Sequence, residues 1–505
     1  MSGFVWSTRI GLAFAAAGSA VGLGNFLRFP GQAYVNGGGA FLIPYIVCFF
    51  LVAIPLCWLE WSLGRLGGEK KRHSCAGIFD VLIENRLVKV LSGALSVLIP
   101  AGIYSYYALV QSWCLAYFFV FSGVISVGEI SEVGNAKNLF ESITKSTENG
   151  FNLSFPLACL VLTVALNALV ILRGFINSIE KFCTYAIPLM AVCAFIILFR
   201  VLTLGTPDPS VPDRNVWNAL GFMWNPRGVN GESWFASYFN PQVWLAAFGQ
   251  VFFSLSVGFG ILMHYASYVK RKEDIALTSF AASATNGFFE VCVGGLITIP
   301  VIFLFLGENF NPNSSFSLGF ISMPLVFNKM PFGNFFGALW FLMLFLAAIT
   351  SSISMISPVV AFLEEYFNLN SKQAQKISLF FLTLCNLLVF CLSRDLVLLS
   401  TLDFWLGTLC VFLFAGCILL VGFNVGLDVV FNSLKEGALL IIPGFAKVLL
   451  ALIAPLFFLG ILIGWVVNNL PSYLSSVSGF EGYLGISLVA FSFICVCYIV
   501  YSKSK

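Results

Sequence analysis

The stretch from Ile10 to Pro30 is apolar enough to cross a membrane, with one charge, Arg28, close to its end. Its middle resists being a helix. Gly18, Gly22 and Gly24 fall within seven residues, and each glycine costs a helix about 1 kcal/mol relative to alanine. Unpaired backbone in hydrocarbon costs several kcal/mol per group, so an unwound segment persists only where it faces protein, a cavity or a ligand. A spanning helix broken at mid-depth is therefore a candidate binding site.

The rest of the chain supplies the membrane context. Apolar residues make up 59% and charged residues 10% of the 505, and mean hydropathy is +0.94. Soluble domains carry about 25% charge, so this is an all-α integral membrane protein. With ~20 apolar residues per span, the helices are expected at 8–34 (broken), 39–65, 87–122, 154–172, 179–203, 242–269 (broken), 275–306, 334–366, 373–393, 397–424, 444–469 and 481–502. The run at 14–18 is not a signal-peptide cleavage region, because the apolar stretch continues past it and only Arg9 precedes it. The 14 cysteines lie mostly inside apolar runs without C-x-x-C spacing, as small core residues do. Basic residues occur singly or in threes at loop edges, which is no footprint for nucleic acid. His73 and His264 have no nucleophile or metal-type spacing around them, so no enzyme is expected; His264 reads as a packed residue.

Alternating sides along the helices, the segments 66–86, 173–178, 270–274, 367–372, 425–443 and both termini fall together. They and their helix ends hold 18 of the 26 Lys and Arg. The positive-inside rule places this side in the cytoplasm, and an even number of spans agrees with it.

A second interruption, Ser254 to Gly260, again gathers small residues and Gly at mid-span. It opens the second set of five helices as residues 8–34 open the first. Interrupted segments at matching positions of two halves point to a transporter binding site. An odd number of helices per half requires the halves to be inverted. The chain is then one transmembrane domain over 1–505: a first repeat 8–203, a second repeat 242–424 and two further helices within 444–502.

These features lead to a resemblance. The blocks Gly18 to Pro30, Asn36 to Phe41, Gln250 to Tyr268, Asn286 with Glu290, Thr350-Ser351-Ser352 and Asp403-Phe404-Trp405 resemble the neurotransmitter:sodium symporter family, in its bacterial LeuT-type branch. The similarity runs from Trp6 to about Trp465. It implies the inverted five-plus-five helix repeat with broken first and sixth helices, two Na+ sites, a small-molecule amino-acid substrate and transport by alternating access.

By that resemblance, one Na+ site uses Ala20, Asn25, Ser254 and Asn286, with the substrate carboxylate completing it. Ser254 stands where the family often has Thr and keeps the hydroxyl. The second Na+ site takes Gly18, Val21 and Ala347 carbonyls with the Thr350 and Ser351 hydroxyls. The carboxylate meets N–H groups of Leu23 and Gly24, at the positive end of a half-helix, and the Tyr107 hydroxyl. The ammonium faces Ala20, Phe253, Ser254 and Ser256. The side-chain pocket is Ile103, Tyr107, Phe253, Ser256, Phe259, Ser351 and Met355. None of these is charged, and an unpaired buried charge is costly, so a neutral, hydrophobic amino acid is expected, aliphatic or aromatic. Ser19 departs from the Asn often found there and leaves fine selectivity open.

Arg28 and Asp403 match an outer gate, written in the family as an ion pair, with Phe253 as lid. Tyr268 and Glu365 match the inner gate, but Met1 to Val5 lack the Arg usual there, and Arg9 is a poorly placed substitute. Glu290 stands where chloride-dependent relatives have an uncharged residue. A resident carboxylate supplies that negative charge, so chloride-independent transport is expected, with Glu290 taking up a proton on the return step. Glu60 reads as a hydrogen-bonded structural carboxylate. The rival reading is a non-transporting amino-acid sensor or a channel-like protein of the same fold. The expected setting is the plasma (inner) membrane, as a monomer or loose homodimer in the lipid bilayer. The absence of Cys from 123–153 and the short termini match bacterial members.

Overall fold

The computed structural model describes residues 6, 8–126, 130, 132–144, 154–228, 233–307, 315–393, 396–468, 470–471 and 479–503. Within these residues the fold is helical, with one isolated bridge between Gly38 and Pro226. The twelve expected helices are all present. They are α1 (Arg9–Ala20 and Gly24–Val35), α2 (Gly39–Glu69), α3 (Arg86–Phe121), α4 (Ser154–Leu172), α5 (Phe175–Leu202) and α6 (Pro241–Leu255 and Ile261–Ala266). They continue as α7 (Ile275–Leu306), α8 (Gly333–Phe367), α9 (Ser371–Leu392), α10 (Val397–Val425), α11 (Phe445–Asn468) and α12 (Gly479–Lys503). Ten are individually long and apolar enough to span a membrane, and α1 qualifies as a bent pair with a 47° break. The second half of α6 has only 6 residues, too few to register as a span.

The helix ends follow from local chemistry. Thr8 caps α1 by accepting from the Gly11 N–H at 2.9 Å, and Pro30 sits at the start of its second half. Asn240 caps α6 through the Gln242 N–H, followed by Pro241. Asn370 and Gln373 form a reciprocal capping box on α9. Both breaks leave helical backbone space. Val21 is extended. In α6, Ser256, Gly258 and Gly260 have φ of 54°, 77° and 76°, a left-handed region costly for a residue with a Cβ. Ser256 is the one that carries this strain.

The core is built on α8, which packs along α3 and α5, while the first half of α1 lies against α5 and α7. Peripheral helices α11 and α12 bury little of their surface, as helices surrounded by lipid do. A π-helical turn in α1 (Gly24–Arg28) packs directly on another in α7 (Phe288–Gly295). A Cβ on Gly294 would run into the Asn25 carbonyl, so the two backbones touch. Such wide turns mark functional sites, and here they bring Asn25 beside Glu290.

Candidate functional site

The α1 break is held from two sides. Ser351 Oγ on α8 lies 3.3 Å from the Gly18 carbonyl and 3.2 Å from that of Ala347. Thr350 Oγ1 donates to Ala347 O at 2.9 Å. Four of the five residues expected at the second Na+ site (Gly18, Ala347, Thr350 and Ser351) therefore converge. Val21 lies at the break itself, tied through its N–H to Ala17. From α3, Tyr107 Oη accepts the Leu23 N–H at 3.3 Å, so it already sits where the resemblance places a carboxylate. The Ser256 hydroxyl donates to Ser19 O at 2.8 Å, joining the two breaks, whereas Ser19 Oγ turns back to Ala16 O. Ala20, Ile103, Phe259 and Met355 are buried nearby in the chain's core. Gly24 packs under the Phe253 ring, 3.3 Å from where a Cβ would sit.

Deeper in, polar groups converge on one carboxylate. Glu290 Oε2 accepts from Tyr45 Oη at 2.7 Å, Ser254 Oγ at 2.6 Å and Asn286 Nδ2 at 3.3 Å. Its Oε1 accepts from Gln250 Nε2. Asn286 Nδ2 also reaches Ser254 Oγ at 2.7 Å, and Asn25 Nδ2 donates to Asn286 Oδ1 at 2.8 Å. Asn25 Oδ1 accepts the Gly22 N–H at 2.8 Å. Glu290, Asn25 and Asn286 are fully buried, and none of Glu290's hydrogen-bond partners is basic. A buried carboxylate without a basic partner requires a cation or a proton. The Asn25 and Asn286 amide oxygens have each accepted one hydrogen and keep a lone pair for a hard cation. Asn25, Ser254, Asn286 and Glu290 were expected together from the sequence. Tyr45 and Gln250 were not. An amide inside the apolar run of α6 was a usable signal for Gln250; Tyr45 carries no such mark.

Above this cluster, on the face away from the termini, the expected Arg28–Asp403 ion pair is replaced by two separate contacts. Arg28 stacks its guanidinium 4.3 Å over the Phe253 ring and donates from Nη2 to Thr408 Oγ1 at 3.1 Å. Asp403 instead accepts the Tyr106 hydroxyl at 2.9 Å. Gly407 lies between these partners, and another wide turn, Trp405–Cys410, carries it. Phe253 meets Phe259 edge-on at 5.8 Å and covers the α1 break.

On the opposite face Trp6 donates from Nε1 to the Tyr265 carbonyl at 3.0 Å and packs edge-on against that ring. Glu180 on α5 accepts the Thr8 N–H and hydroxyl at 3.1 and 2.9 Å. Glu365 is engaged by His73 and Ser74, accepting from His73 N–H at 2.5 Å and Ser74 Oγ at 2.6 Å. Residues 1–5 lie outside the described residues. Arg9 is exposed and forms no ion pair among the described residues, so it does not replace the missing gate arginine. Glu60 behaves as expected, accepting the Gly258 N–H at 2.7 Å at the α6 break. His264 is a packed residue: Nδ1 lies 2.8 Å from His73 O and Nε2 2.7 Å from Ser357 Oγ.

Tyr268 stacks on His73 at 4.1 Å. Burial lowers the His73 pKa, opposed in part by its hydrogen bond with Ser267. Below about pH 6.5 the unfolded chain then binds the proton more readily than the folded one, so stability falls with pH. The melting temperature of wild type is expected to drop between about pH 7 and about pH 5 more than that of His73→Phe, which keeps the stack. Equal slopes would exclude His73 as the source.

Comparison with known proteins places this geometry. The model of the sodium:neurotransmitter symporter family matches residues 4–153 and 134–505. A sodium-dependent transporter of Methanocaldococcus jannaschii, itself uncharacterised, is 30% identical over 383 residues, 73% of this chain and 71% of that one. YhdH of Bacillus subtilis, another uncharacterised sodium-dependent transporter, is 30% identical over 360 residues, 70% and 71% of the two chains. The crystal structure of MhsT in complex with L-phenylalanine superposes with a TM-score of 0.76 at 25% identity, covering 91% of this chain and 99% of that chain. A multi-pass helical protein with this match along nearly its whole length is a transporter of sodium-dependent kinship: the chain belongs to the sodium:neurotransmitter symporter family.

Proposed function

We propose that the protein is a sodium-coupled symporter for a neutral, hydrophobic amino acid, working by alternating access without chloride. The observation that carries this reading is the meeting of two helix breaks around a buried oxygen cluster whose carboxylate, Glu290, has no basic partner among the described residues. One Na+ would sit among Ala20, Asn25, Ser254 and Asn286, and a second among Gly18, Val21, Ala347, Thr350 and Ser351. Helices α1–α5 and α6–α10 form the inverted repeats, with α11 and α12 outside them. The basic side, with the termini, faces the cytoplasm.

A substrate carboxylate would displace the Tyr107 hydroxyl from the Leu23 N–H and take both as donors. Its side chain would contact Ile103, Phe259 and Met355, all buried and uncharged. MhsT is solved with L-phenylalanine bound, which supports a hydrophobic substrate of that size. Uptake of labelled amino acids into proteoliposomes, with and without an inward Na+ gradient, tests the reading when run with competitors across the neutral amino acids. Accumulation that needs Na+ supports it; binding without accumulation favours a sensor. Met355 is flexible and accommodates varied shapes. Met355→Phe is expected to shift competition toward smaller side chains by roughly tenfold, about 1.4 kcal/mol. An unchanged competition profile would remove Met355 from the pocket.

A further inference from the structure

On the lipid side of the outer gate, α6 and α11 leave a groove between them. Its wide part, about 450 Å³, is lined by Trp244, Phe457, Gly460 and Gly464. Through Leu245, Ile461 and Trp465 it runs into a crevice of about 30 Å³ that ends at Gly407 and Thr408 of α10. Gly249 in the crevice and Gly460 in the groove have open space: a Cβ on either would meet nothing within 4 Å. Gly407 is the opposite case. A Cβ there would lie 3.0 Å from Tyr106 Oη, 3.2 Å from Asp403 Oδ1 and 3.4 Å from the Phe253 ring. One residue thus separates the crevice from the gate.

We propose that this groove binds a single acyl chain of a bilayer lipid, whose tip braces the outer gate in its closed form. The lining is mostly apolar, and its one hydroxyl, Thr408 at the far end, already accepts from Arg28, so it suits an apolar chain better than a polar ligand. The mouth opens on the hydrocarbon face of α11, where Leu456, Leu459 and Ile463 are more than half exposed, so the site is continuous with the lipid surface. The crevice is narrow, which suits an unbranched chain. An unfilled apolar crevice forfeits dispersion contacts that such a chain restores. Phe252 lines the crevice next in sequence to the lid Phe253, and Gly407, Thr408 and Leu409 of the wide turn Trp405–Cys410 line it as well. A chain filling the crevice holds both and shifts the population toward the closed gate.

The bracing role rests on the gate reading of Arg28 and Phe253; the binding does not. Gly249→Leu and Gly460→Leu fill the space with the protein's own side chain and remove helical glycine, so folding is not threatened. The probe is a phosphatidylcholine with a photoreactive group at the acyl terminus, reconstituted with the full chain and mapped by mass spectrometry. Labelling at Ile461 and Trp465 is expected to fall roughly tenfold in both variants, while labelling at lipid-facing Phe380 of α9 stays unchanged. Wild-type uptake should vary with acyl length and that of the filled variants should not. Equal labelling in variants and wild type, or crosslinks to a second copy of the chain in its place, would overturn the site. Lost labelling with identical lipid dependence of uptake would overturn the bracing role.

Discussion

Glu290→Ser is expected to make uptake depend on chloride. The carboxylate takes hydrogen bonds from Tyr45, Gln250, Ser254 and Asn286. Serine at this position removes the charge and shortens the side chain, so most of these donors lose their acceptor. Each buried donor left unsatisfied costs about 1–3 kcal/mol, and the Na+ proposed to sit beside it loses its negative partner. One chloride in the vacated space repairs both defects, because it accepts several hydrogen bonds and carries the same charge. Wild type should transport equally in sodium chloride and sodium gluconate. The variant should lose at least roughly tenfold in gluconate, about 1.4 kcal/mol, and recover as chloride is added. Wild-type uptake that stalls in gluconate would remove Glu290 from this role, as would a variant indifferent to the anion.

The two breaks were legible because glycine clusters in apolar runs have no helical explanation. Span ends were nearly as clear: 275–306 was expected and Ile275–Leu306 is found, and 87–122 became Arg86–Phe121. The wide turns were not legible. Phe288–Gly295 reads as ordinary helix, since a π turn changes hydrogen-bond register without a distinctive composition. Side-chain pairing was also out of reach where it depends on how helices rotate against each other. Tyr45 reaches Glu290 across 245 positions of sequence, and no periodicity encodes that meeting. The Arg28–Asp403 pair failed for a related reason. Phe253 and Thr408 offer Arg28 a stack and an acceptor within reach, and Tyr106 supplies Asp403 with a donor. Glu365 likewise finds donors in His73 and Ser74, so the inner acid is satisfied without an N-terminal arginine.

The α1 break allows the most local of the tests, Gly22→Ala. Gly22 does not have a positive φ, so alanine meets no backbone strain there, and its propensity is the more helical. The obstacle is purely steric. A Cβ would lie 2.7 Å from Ser351 Oγ and 3.0 Å from Tyr107 Oη, the side chains proposed to hold one Na+ and the substrate carboxylate. Either the break moves away from α8 and α3, or the Ser351 hydroxyl rotates and the buried Tyr107 ring shifts out of place. The Gly22 N–H also fixes Asn25 Oδ1, so moving the break disturbs the other proposed Na+ site as well. A displacement of about 1 Å at a positioned site costs on the order of a hundredfold in rate, and that loss of uptake is expected. The melting temperature should change little, because the added methyl meets side-chain atoms of Ser351 and Tyr107 and no packed backbone. Gly22→Ala combined with Ser351→Ala relieves the closer contact; it should restore part of the substrate binding while the Na+ requirement stays weakened. Near-normal uptake in a folded Gly22→Ala protein would mean that neither hydroxyl has to lie where the closed structure puts it, and the assignment of both sites to the α1 break would fall together.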